Sequence, residues 1–256
     1  MFNETFAPVG NYAKSHSVIA CLWNESVAGR SANDIISCFH RVIENYASLH
    51  KITFWLDNCA SQNKNWGLFL HLLLLVNSPS IQVREIVLKF FESGHTFMAA
   101  DSFHAAVEKA MRHRPPVTFP EFAVVVSEAK QYVNVMNMPA TSFFRPTFSV
   151  SQYTLNQCKT RPYIDQIRRI IVRKGSLALQ YSKSVTDDKD IKSCSLFSKK
   201  QLELVTVEDF DLKNLLKYQE HPIGLVADRK STLLSVILPL IREEQKLFWT
   251  TLPIIS

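Results

Sequence analysis

The sequence predicts an α/β fold, on three observations. Strand-like runs rich in β-branched and aromatic residues alternate with helix-period segments through the first half of the chain. Two helices open on paired capping residues, Ser31 with Asp34 and Thr118 with Glu121. The hydrophobic run Lys51-Ile-Thr-Phe-Trp-Leu56 ends abruptly in Asp57, as a buried parallel strand does when it delivers a carboxylate to a sheet's carboxyl edge. With 256 residues, 46% of them hydrophobic, the chain can bury one large core or two small ones.

The elements follow in order. Residues 1–8 read as half of a strand, residues 17–23 as a full one, and residues 24–30 as the turn out of it. Ser31 caps a helix in which Ile35, Phe39, Val42, Ile43 and Tyr46 recur at helical spacing. Residues 50–56 form the next strand. Residues 66–76 are apolar on every side apart from His71, which at this length marks a core helix and not a membrane span. Asn77-Ser-Pro-Ser80 breaks that helix, residues 81–91 contain a strand, and Gly94-His-Thr96 makes its exit turn. A helix over about residues 99–112 follows, then an apolar helix from Thr118 through Phe122, Val126 and Val133. Strand and helix alternating three times implies a parallel sheet covered by helices.

The second half has a different texture. Residues 143–153 and 167–181 read as strands, residues 182–200 as a polar loop, residues 207–218 as a short helix, and residues 231–252 as a helical pair broken at Pro239. A boundary near Pro139 separates a core, residues 1–138, from a C-terminal α+β extension, residues 139–256.

The formal net charge of +6 and a pI near 9.0 suit nucleic acid without requiring it. Five dispersed cysteines (Cys21, Cys38, Cys59, Cys158, Cys194) without a C-x-x-C pair predict reduced thiols in a nuclear or cytoplasmic protein. No secretory leader is expected, and no membrane partner. The chain holds no Walker A sequence, G-x-G-x-x-G, G-x-S-x-G or paired-cysteine zinc module, so kinase, dinucleotide and hydrolase readings lack their sequence basis.

Asp57 is the first candidate site residue. The turn behind it, Asn58 to Asn65, offers the side chains of Asn58, Gln62, Asn63 and Lys64 together with the first free N–H groups of a helix, a setting for phosphate. Asp101 is the second acid, with His104 three residues on and therefore on the same helix face. If the two acids converge they would share magnesium or manganese, since hard oxygen ligands disfavour zinc. The plainer readings stay open: Asp101 as a helix cap, Asp57 as a strand-end acid capping its own turn. His95 and His104 with Asp101 are an alternative metal set, Glu25 is a weaker third acid, and Arg30 is placed to pair with one of the acids. The basic run from Arg168 puts Arg169, Arg173 and Lys174 where they would contact a nucleic-acid backbone or guard an edge strand.

Three blocks carry a resemblance: Trp23-Asn-Glu-Ser-Val-Ala-Gly-Arg30, Asp57-Asn-Cys-Ala-Ser-Gln-Asn-Lys-Asn65 and Gly94-His-Thr-Phe-Met-Ala-Ala-Asp-Ser-Phe-His104. With the ending from Leu233 to Trp249 they are similar to an uncharacterised, transposon-derived family common in invertebrate genomes, whose core resembles the RNase H-like fold of DDE transposases and integrases. The resemblance implies an RNase H-like core with a mixed sheet flanked by helices. It makes Asp57 the fourth-strand acid and Asp101 the later one, holding Mg2+ or Mn2+ for DNA cleavage and strand transfer. It also implies that the first strand, with its acid, is missing, so the chain is expected to be truncated and weak or inactive in that chemistry. The alternative is a non-enzymatic module that binds nucleic acid, or binds protein or a second copy of itself through an exposed sheet edge.

Overall fold

A computed structural model describes residues 1–59, 62–92, 98–147, 162–197 and 216–255. It shows a mixed α/β protein. In chain order the strands are β1 (Phe2–Phe6), β2 (Val18–Trp23), β3 (Lys51–Leu56), β4 (Glu85–Phe90), β5 (Val133–Asn137) and β6 (Phe144–Pro146). They continue with β7 (Arg169–Arg173), β8 (Ala178–Ser182), β9 (Lys192–Ser195) and β10 (Leu216–Tyr218). The helices are α1 (Ala32–Asn45), α2 (Trp66–Asn77), α3 (Ala99–His113), α4 (Phe119–Glu128), α5 (Ala227–Ile237) and α6 (Glu243–Thr250). No helix among the described residues is long and apolar enough to cross a membrane.

The chain forms two compact units, each assembled from separate stretches. Unit 1 comprises Met1–Arg30, Phe97–Phe143 and Tyr218–Ser256; unit 2 comprises Ser31–Thr96 and Phe144–Lys217. Pro139 thus lies within unit 1.

In unit 1 the sheet order is β1-β2-β5, with β1 antiparallel and β5 parallel to β2. Ala20 and Leu22 of β2 pack against Phe103 and Val107 of α3 and Phe122 and Val126 of α4. The capping box at Thr118 and Glu121 forms, Glu121 accepting from the backbone N–H groups of Val117 (2.8 Å) and Thr118 (3.1 Å). The helix expected to reach Val133 instead stops at Glu128. Tyr132 takes a left-handed turn (φ 59°), and Val133-Asn-Val135 alternates with period two and joins β2 as a strand.

The helical pair near the C-terminus begins at Ala227 and is broken by a 3-10 turn, Leu238–Leu240, around Pro239. A parallel bridge between Leu225 and Ile254 follows. Gly224 makes it possible: its φ is +78°, and a Cβ there would lie 2.5 Å from the Ile254 carbonyl carbon.

In unit 2 the order is β3-β4-β7-β8-β9. Only β3–β4 is parallel, with α2 as the crossover; β7, β8 and β9 add on antiparallel. The expectation of one parallel sheet fails: β7 joins β4 antiparallel, and β8 and β9 follow through short connections, which favour antiparallel pairing. Residues 167–181 hold two strands, not one, turning at Gly175 (φ +82°). The stretch expected to be loop contains β9, whose buried Cys194 sits opposite Leu179. Leu216–Tyr218, expected at a helix end, is a strand paired with β6. The expected turn at residues 94–96 with His95, Ser61, Cys158, the strand beyond Thr147, residues 198–200 and the rest of the 207–218 helix lie outside the described residues.

Helices α1 and α2 of unit 2 cover one side of its sheet, Phe39 of α1 meeting Phe54 and Phe69 of α2 meeting Phe90. Helix α1 opens on the expected capping box, Asp34 Oδ2 accepting from the Ser31 N–H at 2.8 Å. Asn65 caps α2 through the Leu68 N–H (2.9 Å). Asn77 at its other end donates to Ser176 O (3.0 Å) and accepts from the Gly175 N–H (2.7 Å), locking the β7–β8 turn onto the helix.

Two buried histidines join α1 to α2. His40 Nε2 donates to Glu44 (3.3 Å), which leaves Nδ1 to accept from His71 Nε2 (3.1 Å). His71 therefore keeps a bare, unpartnered Nδ1 in the core, and burial, then the nearby His40, holds its pKa well below 6.5.

Two outcomes are expected. Because His71 folds neutral, its contribution is complete above pH 6.5 and is lost as pH falls below it. Denaturant unfolding should show unit 2 weaker by roughly 1 kcal/mol at pH 5.5 than at 7.5, and His71→Leu should flatten that difference. Gly224→Ala should cost about 2 kcal/mol or more in thermal unfolding, from the left-handed backbone and the clash with Ile254.

Candidate functional site

The site begins where β3 ends. Asp57 Oδ1 accepts from the Cys59 N–H (3.2 Å) and from Asn63 Nδ2 (2.6 Å), so its carboxylate organises the turn behind it. Three N–H groups, of Gln62, Asn63 and Lys64, converge on the Cys59 carbonyl at 3.0–3.2 Å. The amide of Asn58 bridges two elements, donating to Phe91 O and accepting from Lys64 Nζ (2.8 Å).

Lys64 is only 3% exposed. Its second hydrogen bond goes to the Asp165 carbonyl (3.1 Å), which also accepts from Arg168 (2.9 Å), and its ammonium stands 5.1 Å from the Phe90 ring centre. Both of its hydrogen-bond partners are neutral oxygens. Burial, reinforced by Arg168 and partly opposed by Asp165, lowers its pKa to about 8. The turn thus points Asn63 and Lys64 inward, where the expected phosphate-facing set would have turned them out.

The second feature is the sheet side of unit 2 opposite its helices. Residues of β3, β4 and β7 stand there in cross-strand rows: Lys51–Glu85–Arg173, Thr53–Val87–Ile171 and Trp55–Lys89–Arg169. All of them but Trp55 line a shallow cavity of about 460 Å³, with four cations (Lys51, Lys89, Arg169, Arg173) against two carboxylates (Glu85, Asp188). Glu85 holds Lys51 and Arg173, each at 2.6 Å; burial works to raise its pKa, but these two cations keep it below the usual value. Arg169 is tied to Asp188 (2.8 Å) and to the Asp187 carbonyl (2.8 Å). Lys89 rides over the Trp55 ring, 5.0 Å from its centre.

Of the three expected basic contacts, Arg169 and Arg173 belong to this face. Lys174 turns away and donates to the carbonyls of Ser78 (3.0 Å) and Ile81 (2.5 Å). Lys51, Trp55 and Lys89 were not among the expected site residues. Their signal was the period-two alternation of Lys51, Thr53 and Trp55, masked by reading β3 as buried on both sides.

The remaining candidates lie in unit 1. Asp101 sits in the first turn of α3, where Oδ2 accepts from the Met98 N–H (2.8 Å). His104 Nε2 meets Thr5 Oγ1 at 2.9 Å; because Thr5 donates to Asn3 Oδ1 (3.0 Å), Nε2 donates to Thr5 and the lone pair stays on Nδ1. Burial lowers the pKa of His104, with Asp101 pulling the other way. Glu25 pairs with Arg229 at 2.7 Å. Among the described residues, no group of three or more His, Cys, Asp or Glu side chains is placed to hold a metal ion.

The model of one protein family, described as a domain of unknown function (DUF7869), matches residues 12–183. No curated protein and no solved structure matches the chain. The family match includes Asp57, Lys64 and all four cations of the sheet face.

The amine of Lys64 is expected to titrate near pH 8 in a 13C-methylene NMR titration of the lysines, with the resonance identified by its loss in Lys64→Arg. A Lys64 midpoint above 10 would show that the ammonium is solvated and the turn open.

Proposed function

We propose that this chain, which belongs to the DUF7869 family, is a transposase-derived protein that binds nucleic acid without cutting it. One observation carries the reading: Lys51, Lys89, Arg169 and Arg173 stand together on one sheet face with two carboxylates between them. Glu85 spaces Lys51 and Arg173 and limits their side-chain freedom, so a backbone phosphate meets cations already positioned. The RNase H-like ancestry rests on the three signature blocks and on the parallel β3-α2-β4 unit with Asp57 at its carboxyl end. The acids support binding over cleavage: Asp101 bonds its helix's first turn, Glu25 pairs with Arg229, and Asp57 holds its own turn.

A second reading, metal-dependent phosphodiester cleavage at Asp57, is favoured by the place of that carboxylate at the end of a parallel strand. Such chemistry needs further carboxylates beside Asp57 to hold the metal.

Fluorescence polarisation with labelled DNA and RNA tests both. The full chain should bind with affinity falling as salt rises, at a logarithmic slope of about −1 to −3. Lys89→Glu and Arg173→Glu should each weaken binding about tenfold. No binding at low salt, or charge reversals without effect, would overturn the proposal. In manganese, product that disappears in Asp57→Asn would establish the second reading in its place.

A further inference from the structure

The sheet face of unit 2 carries more than charge. Trp55 is 38% exposed and lies in the row of Lys89 and Arg169. Its ring pairs with that of Phe91, the centres 5.2 Å apart and the planes 31° from parallel. The Lys89 ammonium over Trp55 marks a ring surface that a hydrated cation reaches, and a lysine stem is easily moved aside. Along β3 the side chains on this face repeat about every 6.6 Å, and neighbouring strands lie about 4.8 Å apart. A ring platform and cations therefore sit within one nucleotide's reach of each other.

We infer that this face takes single-stranded nucleic acid, one base stacking on the Trp55–Phe91 pair while Lys89, Arg173 and Lys51 follow the phosphates. The inference rests on the nucleic-acid reading above and narrows it. A duplex keeps its base faces stacked inside and presents only edges in its grooves, so Trp55 would gain nothing from one. The helices α1 and α2 cover the opposite side of this sheet, and among the described residues no helix of unit 2 stands on the open side to enter a major groove. Stacking on an aromatic ring is tolerant of sequence, so the face should read strandedness and not base order. On binding, Lys89 exchanges a ring for a phosphate, a stronger partner for an ammonium.

The test uses the full chain and four probes of equal length: oligo-dT, its duplex with oligo-dA, an abasic oligonucleotide that keeps the phosphates, and polyglutamate. Oligo-dT should bind about tenfold or more tighter than the abasic strand. Trp55→Ala should erase that difference, and Trp55→Phe should keep most of it. Trp55→Leu, which retains an apolar group beside Phe91, replaces Trp55→Ala if the latter fails to fold. Equal affinity for oligo-dT and the abasic strand, or a preference for duplex, would overturn the single-strand inference while leaving phosphate binding intact. Polyglutamate binding as tightly as oligo-dT would overturn it in favour of an acidic protein partner. No binding to any nucleic-acid probe would remove the parent reading itself.

Discussion

Unit 2 depends on the burial of α2 against the sheet, because this helix is apolar all round and can exist only inside. Eight of its apolar residues, Leu68 to Leu70 and Leu72 to Val76, are buried, each contributing about 1.5–3 kcal/mol before conformational entropy is set against it. Such a helix cannot leave its terminal N–H and C=O groups to water, so side-chain amides take them over. Asn65 closes the start through the Leu68 N–H, and the Asn77 amide donates to the Leu73 carbonyl near the end. The polar chemistry of the β3–α2 turn follows from that need. Asp57 holds Asn63, Asn63 places Lys64, and Lys64 is carried inward one residue before the cap.

The same logic shows why parts of the fold could be read from sequence. Capping boxes at Ser31 and Thr118 are local chemistry, and both form where the residues predict. The strand before Asp57 and the core helix after it are likewise legible, since each has one dominant period. What sequence hid was pairing between distant segments. Val133 continues the apolar spacing of α4, yet β2 recruits it as a strand. Lys192–Ser195 is polar, and only the waiting edge of β8 makes it β9. The site was half visible: Asp57 stood out, whereas Lys51 and Lys89 gain meaning only when β3 and β4 align their rows.

The acids and the bases of this protein have divided their roles. The acidic candidates are engaged in local structure, as turn-former, helix cap and ion-pair partner. On the sheet face the cations outnumber the carboxylates, and Lys89 has a ring beneath it where others have an acid. On the proposed reading, a protein that once used carboxylates on DNA could keep its affinity after the carboxylates settled into structural work. Binding needs only an excess of positive charge, while metal chemistry needs several acids at one point.

The two units are each stitched from separate stretches, and the backbone passes between them after Arg30, Thr96, Phe143 and Lys217. Neither can therefore be cut out as one continuous fragment. A piece ending at Thr96 would hold β3, α2 and β4 but leave β4 without β7 and α2 without the turn that Asn77 secures. Inheritance is constrained in the same way. Recombination that moved one unit's stretches without the other's would leave both incomplete, so the two units are expected to be inherited together.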